Sequence, residues 1–308
     1  MTWFSSPAEA AERLAAVGYL PDLATGTTTY LAGVLEKPLL VEGPAGVGKT
    51  ELAKAISLAT GAELVRLQCY EGLDEARALY EWNYKKQLLY IQAGAASVGE
   101  AAPQEDRGTS IFSEEFLLTR PLLTAIRREE PTVLLIDEVD KTDVEVEGLL
   151  LEVLSDFQVT IPELGTVTAL RRPLVVLTSN ATRELSEAVK RRCLYLHIDY
   201  PDAGREKQIV LEQVAGVEDG LAGQIVETVH RLRGLELKKQ PSIAETIDWA
   251  RTLVALGIGT LDAGVIDRTL GVLLKHVSDH HKAIRELRLD KLDDRTKLDD
   301  RTGLGPTR

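Results

Sequence analysis

The chain has 308 residues, 44% hydrophobic, 27% charged and only 5% aromatic. That excludes disorder of the whole chain and calls for a core built from Leu, Val, Ile and Ala. Lys and Arg number 36 against 48 Asp and Glu, a net charge of −12. This argues against a sequence-independent nucleic-acid binder, which needs a positive face to displace counterions.

The N-terminal twenty residues carry Glu9 and Glu12 and lack an apolar segment, so they do not read as a signal peptide. No run approaches the ~18 apolar residues of a membrane span. Two cysteines, Cys69 and Cys193, build neither a disulfide framework nor a four-ligand zinc site. A reducing cytoplasm is the expected compartment. Residues 7–17 read as a short amphipathic helix. PLLVE at 38–42 is a short apolar run between turn signals, hence a buried strand, with helix expected over 49–60 and a second strand over 63–68. Residues 74–92 read as mostly helical with an interruption near Trp82–Tyr84. The small, polar, Gly-rich stretch 93–110 reads as a mobile loop, followed by a helix led by Pro121.

Three further apolar runs, 132–136, 174–178 and 193–198, complete an α/β alternation that predicts a parallel five-stranded sheet covered by helices on both faces. Between them, QVTI-PELG-TVT at 158–168 predicts a hairpin. Beyond Pro201 strands vanish. Helical stretches near 204–214, 221–233, 242–256 and 262–276 predict a small all-helical lid. The expected organisation is an α/β domain over 1–201, the lid over 202–285 and a charged tail over 286–308, where LDDRT occurs twice.

The strongest motif is Gly43-Pro44-Ala45-Gly46-Val47-Gly48-Lys49-Thr50, a complete phosphate loop between a strand and a helix. Glycines let successive N–H groups face one anion, the helix N-terminus adds its dipole, Lys49 meets the β- and γ-phosphates, and Thr50 can ligate Mg²⁺. Glu51 completes the expected nucleotide-binding set. Leu134-Leu135-Ile136-Asp137-Glu138 puts one carboxylate where it can hold Mg²⁺ through water and a second where it can activate water for in-line attack. Asp140 and Lys141 are expected to cap or pair locally. Asn180, after LVVLT, is expected at the γ-phosphate or the attacking water. Lys190-Arg191-Arg192 offers a cation for the charge developing on the γ-phosphate, supplied in trans, against the alternative of a solvated surface. His276 and His280 stand one helical turn apart, but they lack a third ligand and read as a surface helix. Cys69 and Cys193 read as buried small hydrophobes.

GPAGVGKT, LLIDEVDK, LTSNATREL and SEAVKRRCLYLHIDYP, in that order, resemble an AAA+ ATPase of the MoxR family. The hairpin and the segment RLQCYEGLDEARALYEWNYKKQLL, which looks like an insertion within the second helix, extend the resemblance over about 18–280. Within the family it is most similar to the CoxD-type proteins encoded with molybdenum hydroxylases such as carbon monoxide dehydrogenase. The resemblance implies a homo-hexameric, ATP- and Mg²⁺-dependent chaperone that remodels an apo metalloenzyme client with a partner bearing a von Willebrand factor A domain. Two departures stand out. Ser242, after Pro241, occupies the place of a sensor 2 arginine, and Arg251 is too far along its helix to substitute. Cys193 stands where relatives often carry Phe.

ATP hydrolysis is the expected chemistry, with Glu138, Asn180, Arg191 and Arg192 as catalytic candidates and Thr50 and Asp137 on the metal side. Competing classes are a nucleic-acid motor or clamp loader, disfavoured by the charge, and an ATP-switched scaffold that does not hydrolyse. Tyr80, Trp82 and Tyr84 are either a client-binding cluster on the insertion or a cover over the core.

Overall fold

The computed structural model describes residues 3–96 and 111–287. The anticipated loop therefore falls outside it except for 93–96, which end a helix, and the LDDRT echo lies wholly outside the described residues. The chain divides into two units, Met1–Pro44 with Lys49–Ile198 and Ala45–Gly48 with Asp199–Arg308.

The first unit opens with α1 (Pro7–Ala16) and α2 (Leu23–Leu35), then alternates β1 (Leu39–Glu42), α3 (Lys49–Thr60) and β2 (Glu63–Gln68). A short insertion follows: α4 (Glu75–Ala78), β3 (Tyr80–Trp82), α5 (Tyr84–Ala96) and β4 (Leu117–Thr119). The unit continues with α6 (Pro121–Arg127), β5 (Thr132–Asp137), α7 (Val144–Asp156), the hairpin β6 (Gln158–Ile161) and β7 (Gly165–Thr168), β8 (Leu174–Ser179), α8 (Glu187–Lys190) and β9 (Leu194–His197).

Five strands form one parallel sheet in the order β2-β5-β8-β1-β9. Parallel strands need crossovers, and the crossovers bury both faces, which explains why β5 and β8 are buried along their whole length. Alternation sorts their side chains between two cores. Val133, Leu135, Leu174 and Val176 meet Leu14, Ala32, Leu52 and Ile56 on the face of α1–α3. Leu134, Ile136, Val175 and Leu177 meet Leu122, Ile126, Leu150 and Leu154 on the other.

Two features add to what the sequence patterns showed. α2 forms from LATGTTTYLAGVL, rich in poor helix formers, because tertiary burial of Thr25, Gly26, Thr29 and Ala32 overrides propensity. Asp22 caps its start, accepting from the Thr25 N–H at 2.7 Å. The interruption anticipated near Trp82–Tyr84 within the helical stretch 74–92 is a strand, β3, which pairs antiparallel with β4 as a separate two-stranded sheet.

The second unit carries α9 (Ala203–Gln213), α10 (Asp219–Arg233), α11 (Ile243–Ala255) and α12 (Ala263–Thr269), with a further helix over 277–287. Its core gathers Val210, Ile225, Val229, Leu253 and Leu273 around the fully buried Trp249, whose indole N–H donates to Thr269 Oγ1 at 2.8 Å. α11 starts on a capping box: Ser242 Oγ accepts from the Glu245 N–H, and the Glu245 carboxylate accepts from the Ser242 N–H.

Candidate active site

The phosphate loop leaves β1 at Gly43, where a Cβ would collide with the Ile198 carbonyl oxygen. Gly46 has φ 74° and Gly48 φ 98°, the left-handed region that only glycine enters without strain. In the second unit, a Cβ on Gly46 would overlap Ser242, so this serine lies against the glycine of the loop. Arg251 is exposed and faces Asp248 at 3.5 Å.

Lys49, the first residue of α3, is buried. Its Nζ donates to the carbonyls of Gly43 and Pro44, both at 2.7 Å, and to Asn180 Oδ1 at 2.8 Å. Burial pushes the Lys49 ammonium below its ordinary pKa, against the opposing pull of Asp140, Asp137, Glu138 and Glu42. Thr50 Oγ1 donates to Asp137 Oδ1 at 2.9 Å. Glu51 is different: its side chain is exposed and pairs with Lys54 at 3.1 Å.

Asp137 ends β5 and is 2% exposed. Oδ1 also accepts from Thr178 Oγ1 on the neighbouring β8 at 2.6 Å, and Oδ2 accepts from Arg66 on β2 at 2.5 Å. Glu138 follows at φ 58°, a left-handed turn held by its N–H donating to Thr178 Oγ1 at 2.8 Å. The turn brings its carboxylate toward Asn180 Nδ2, at 3.5 Å from Oε1, while Oε2 accepts from Gln68 at 2.8 Å and from Lys141 at 2.7 Å. Lys49, Thr50, Asp137, Glu138 and Asn180 thus gather at one end of the parallel sheet, where ligands bind in open α/β folds.

Asp140 does more than pair locally. It is buried, and Oδ2 accepts from the N–H groups of Asn180 (3.2 Å) and Thr182 (3.0 Å) and from Thr182 Oγ1 at 2.6 Å. Ala181 between them is left-handed at φ 57°. Burial would raise the Asp140 pKa, and these hydrogen bonds outweigh it and hold the carboxyl below its usual value. Glu147 on α7 anchors the next stretch, accepting from the Ser186 N–H at 2.8 Å and pairing with Arg183 at 2.6 Å.

The basic triplet does not join this cluster. Lys190 pairs with Glu184 at 2.8 Å. Arg191 is 80% exposed. Arg192 is tied down on its own unit, donating to Ser155 Oγ on α7 and to the Ala188 carbonyl at 2.9 Å. Trp82 lies in the core, edge-to-face with Phe112 at 5.3 Å, so for this residue the core role is the one observed; Tyr84 is exposed. Cys69 is buried and Cys193 partly so, and burial raises both thiols to about 12. His280 Nε2 is 2.8 Å from the Leu274 carbonyl, and Asp279 accepts from the N–H groups of Lys238 and Lys239.

Sequence reasoning missed Arg66, Gln68 and Thr178. Their partners are set by register across the sheet, Gln68 lying beside Asp137 and Leu135 beside Arg66, which no local motif encodes.

The cradle fits a nucleotide. It offers a loop that excludes side chains, a buried ammonium now satisfied only by carbonyls and an amide, and a hydroxyl–carboxylate pair of the kind that holds Mg²⁺. Sheet order and site together define a P-loop ATPase. About half of the chain, residues 38–193, matches the AAA domain of the dynein-related subfamily, and the chain belongs to that family. It hydrolyses ATP and uses Mg²⁺.

The chain is 28% identical over 229 residues to an uncharacterized protein of Staphylococcus haemolyticus, covering 72% of this chain and 77% of that one. Proteins of several Staphylococcus aureus strains match to the same extent. It is 36% identical over 138 residues to the chaperone protein ClpB 2 of Parasynechococcus marenigrum, 45% of this chain but 13% of that protein. Among solved structures it is similar to the RuvB Holliday junction branch migration motor of Thermotoga maritima (TM-score 0.44, 20% identity, 85% of this chain and 69% of that one). A RuvB mutant from the same organism gives a TM-score of 0.49 at 19% identity, covering 87% and 72%. Among the described residues no helix is long and apolar enough to cross a membrane.

Proposed function

We propose that this protein is a MoxR-type AAA+ chaperone that uses ATP hydrolysis to remodel a protein client. In this reading Lys49 and the loop N–H groups hold the phosphates, with Thr50 and Asp137 on the Mg²⁺ side. Mg²⁺ neutralises phosphate charge when bound. Glu138 orients and deprotonates the attacking water, and Asn180 fixes the geometry between that water and Lys49. The observation that carries the reading is the side chain of Asn180, which touches both Lys49 and Glu138.

A cation must also meet the charge developing on the γ-phosphate. Among the described residues the arginine that joins the cluster is Arg66, which is engaged with Asp137 on the metal side, and this favours supply of the γ-phosphate cation from a neighbouring subunit of a homo-oligomer, expected to be a hexamer. Arg191 and Arg192 are the candidates. Arg191 is exposed and held by a loose 3.9 Å pair with the exposed Glu187, whereas Arg192 must first leave Ser155 and Ala188. The client is proposed to be an apo molybdenum hydroxylase of the carbon monoxide dehydrogenase type, approached with a von Willebrand factor A domain partner in the cytoplasm. Support for this finer part is the resemblance of the motifs and of the insertion around Tyr80–Tyr84.

The test is ATP-dependent capture by the Glu138→Gln variant, offered the partner and the apo hydroxylase in one arm and duplex DNA in the other. Capture of the first two, with no DNA shift across a salt series, is expected. A salt-dependent DNA shift without protein capture would replace the chaperone reading with the nucleic-acid motor.

A further inference from the structure

Arg66 makes a contact that nucleotide chemistry alone does not require. It sits on β2 at the edge of the sheet, two residues before Gln68, so both side chains project from the same face. One guanidinium nitrogen donates to Asp137 Oδ2 at 2.5 Å and also to Gln68 Oε1. The opposite oxygen, Oδ1, carries Thr50 and Thr178. Both oxygens of Asp137 are thus engaged, and the cation that pairs with it is a side chain that is 48% exposed and has an open route to solvent.

A buried carboxylate without a cation is costly, and a guanidinium that balances it also repels a divalent ion approaching the same group. The two cations therefore act on one charge. We infer that Arg66 is a positioning residue that competes with Mg²⁺ for Asp137, so that swinging the guanidinium toward solvent is part of binding Mg²⁺·ATP. The contact to Gln68 extends the consequence. Gln68 donates to Glu138, so the guanidinium that leaves Asp137 also leaves the side chain that holds the second carboxylate. A single cation thus ties the metal side of the site to the water side.

The inference rests on the assignment of Thr50 and Asp137 as the metal side. Its test is the Mg²⁺ concentration at half-saturation for binding of a fluorescent ATP analogue to the full chain, which needs no turnover. Arg66→Met keeps the aliphatic stem and removes the charge, and it should lower that concentration by about fivefold or more, the usual scale of coupling between two linked ligands. Binding of the analogue in excess EDTA should stay within twofold. Arg66→Lys, which retains a cation, should move the midpoint back toward the wild-type value. If Arg66→Met fails to fold, Arg66→Gln carries the same expectation. An unchanged midpoint, or one that rises, overturns the competition. Lys49→Ala is run beside these variants. If it binds the analogue like wild type, the assignment of the site fails, and that outcome is distinct from an unchanged midpoint in an otherwise Lys49-dependent site.

Discussion

Each unit of the molecule holds buried or half-buried acidic side chains, and the two sets are finished differently. In the second unit Glu206 is wholly buried, and both oxygens are used twice. Arg233 donates to each, at 2.6 and 2.9 Å, Thr246 Oγ1 donates at 2.8 Å, and His230 Nε2 lies at 2.9 Å. Arg233 is itself fixed by the Pro241 carbonyl and stacks on Tyr200, its guanidinium carbon 4.5 Å from the ring centre. In the first unit Asp137 and Glu138 are served by Arg66, Lys141 and Gln68, the two cations about half exposed. A saturated ring of short bonds specifies a packed arrangement, whereas partners that can return to water leave the carboxylates available to a ligand. Burial of charge alone therefore does not mark a functional site; here it is the exposure of the partner cations that separates the two.

That contrast breaks most visibly in turnover. Glu138→Gln should lower kcat by about 10²- to 10⁴-fold, the usual worth of a positioned general base, with nucleotide binding and melting temperature close to wild type. A turnover rate near wild type would remove Glu138 from the water-activating role. Glu206→Ala should do the reverse. It strands Arg233, and breaking a buried pair costs about 3–5 kcal/mol, read as a lower urea midpoint. A loss below about 1 kcal/mol would mean that Glu206 is as replaceable as its counterparts.

Acid sharpens the comparison further. Hydrogen bonding holds the Asp140 carboxyl below its ordinary 3.8 in spite of burial, so the unfolded chain takes up its proton first. Its stabilising contribution is present above that value and is lost as pH falls through the lower native one. Asp140→Asn should flatten the acid limb of a melting-temperature profile taken between about pH 6 and pH 3. An acid limb unchanged by the substitution would show that Asp140 is not held this way. The smallest effect is expected at the surface: Lys141→Ala removes a half-exposed pair and should cost less than about 1 kcal/mol in stability.

What the sequence revealed follows from where the information lies. The phosphate loop, the acidic strand end and Asn180 are local patterns, and the five strands are short apolar runs with clear ends. α2 was illegible because its threonines and glycines argue against helix until α1 packs on it, with Gly26 close to Ala11. β3 and β4 are three residues each and pair across 35 positions of chain, too short and too distant for periodicity to register. Asp140 and Glu147 were legible as acids but not as anchors, since their partners lie some 40 residues away on the segment after β8.

Those two anchors carry a consequence for amide exchange. The segment 180–186 has little regular structure, and such a stretch ordinarily trades its amide protons with solvent almost at once. Here the N–H groups of Asn180 and Thr182 end on Asp140, that of Ala181 on Ser179 Oγ and that of Ser186 on Glu147, so four deuterium-slow positions should punctuate a fast loop. Replacing Asp140 with Asn should speed the first two and leave Ser186 slow, which would resolve the loop into two independently fastened halves.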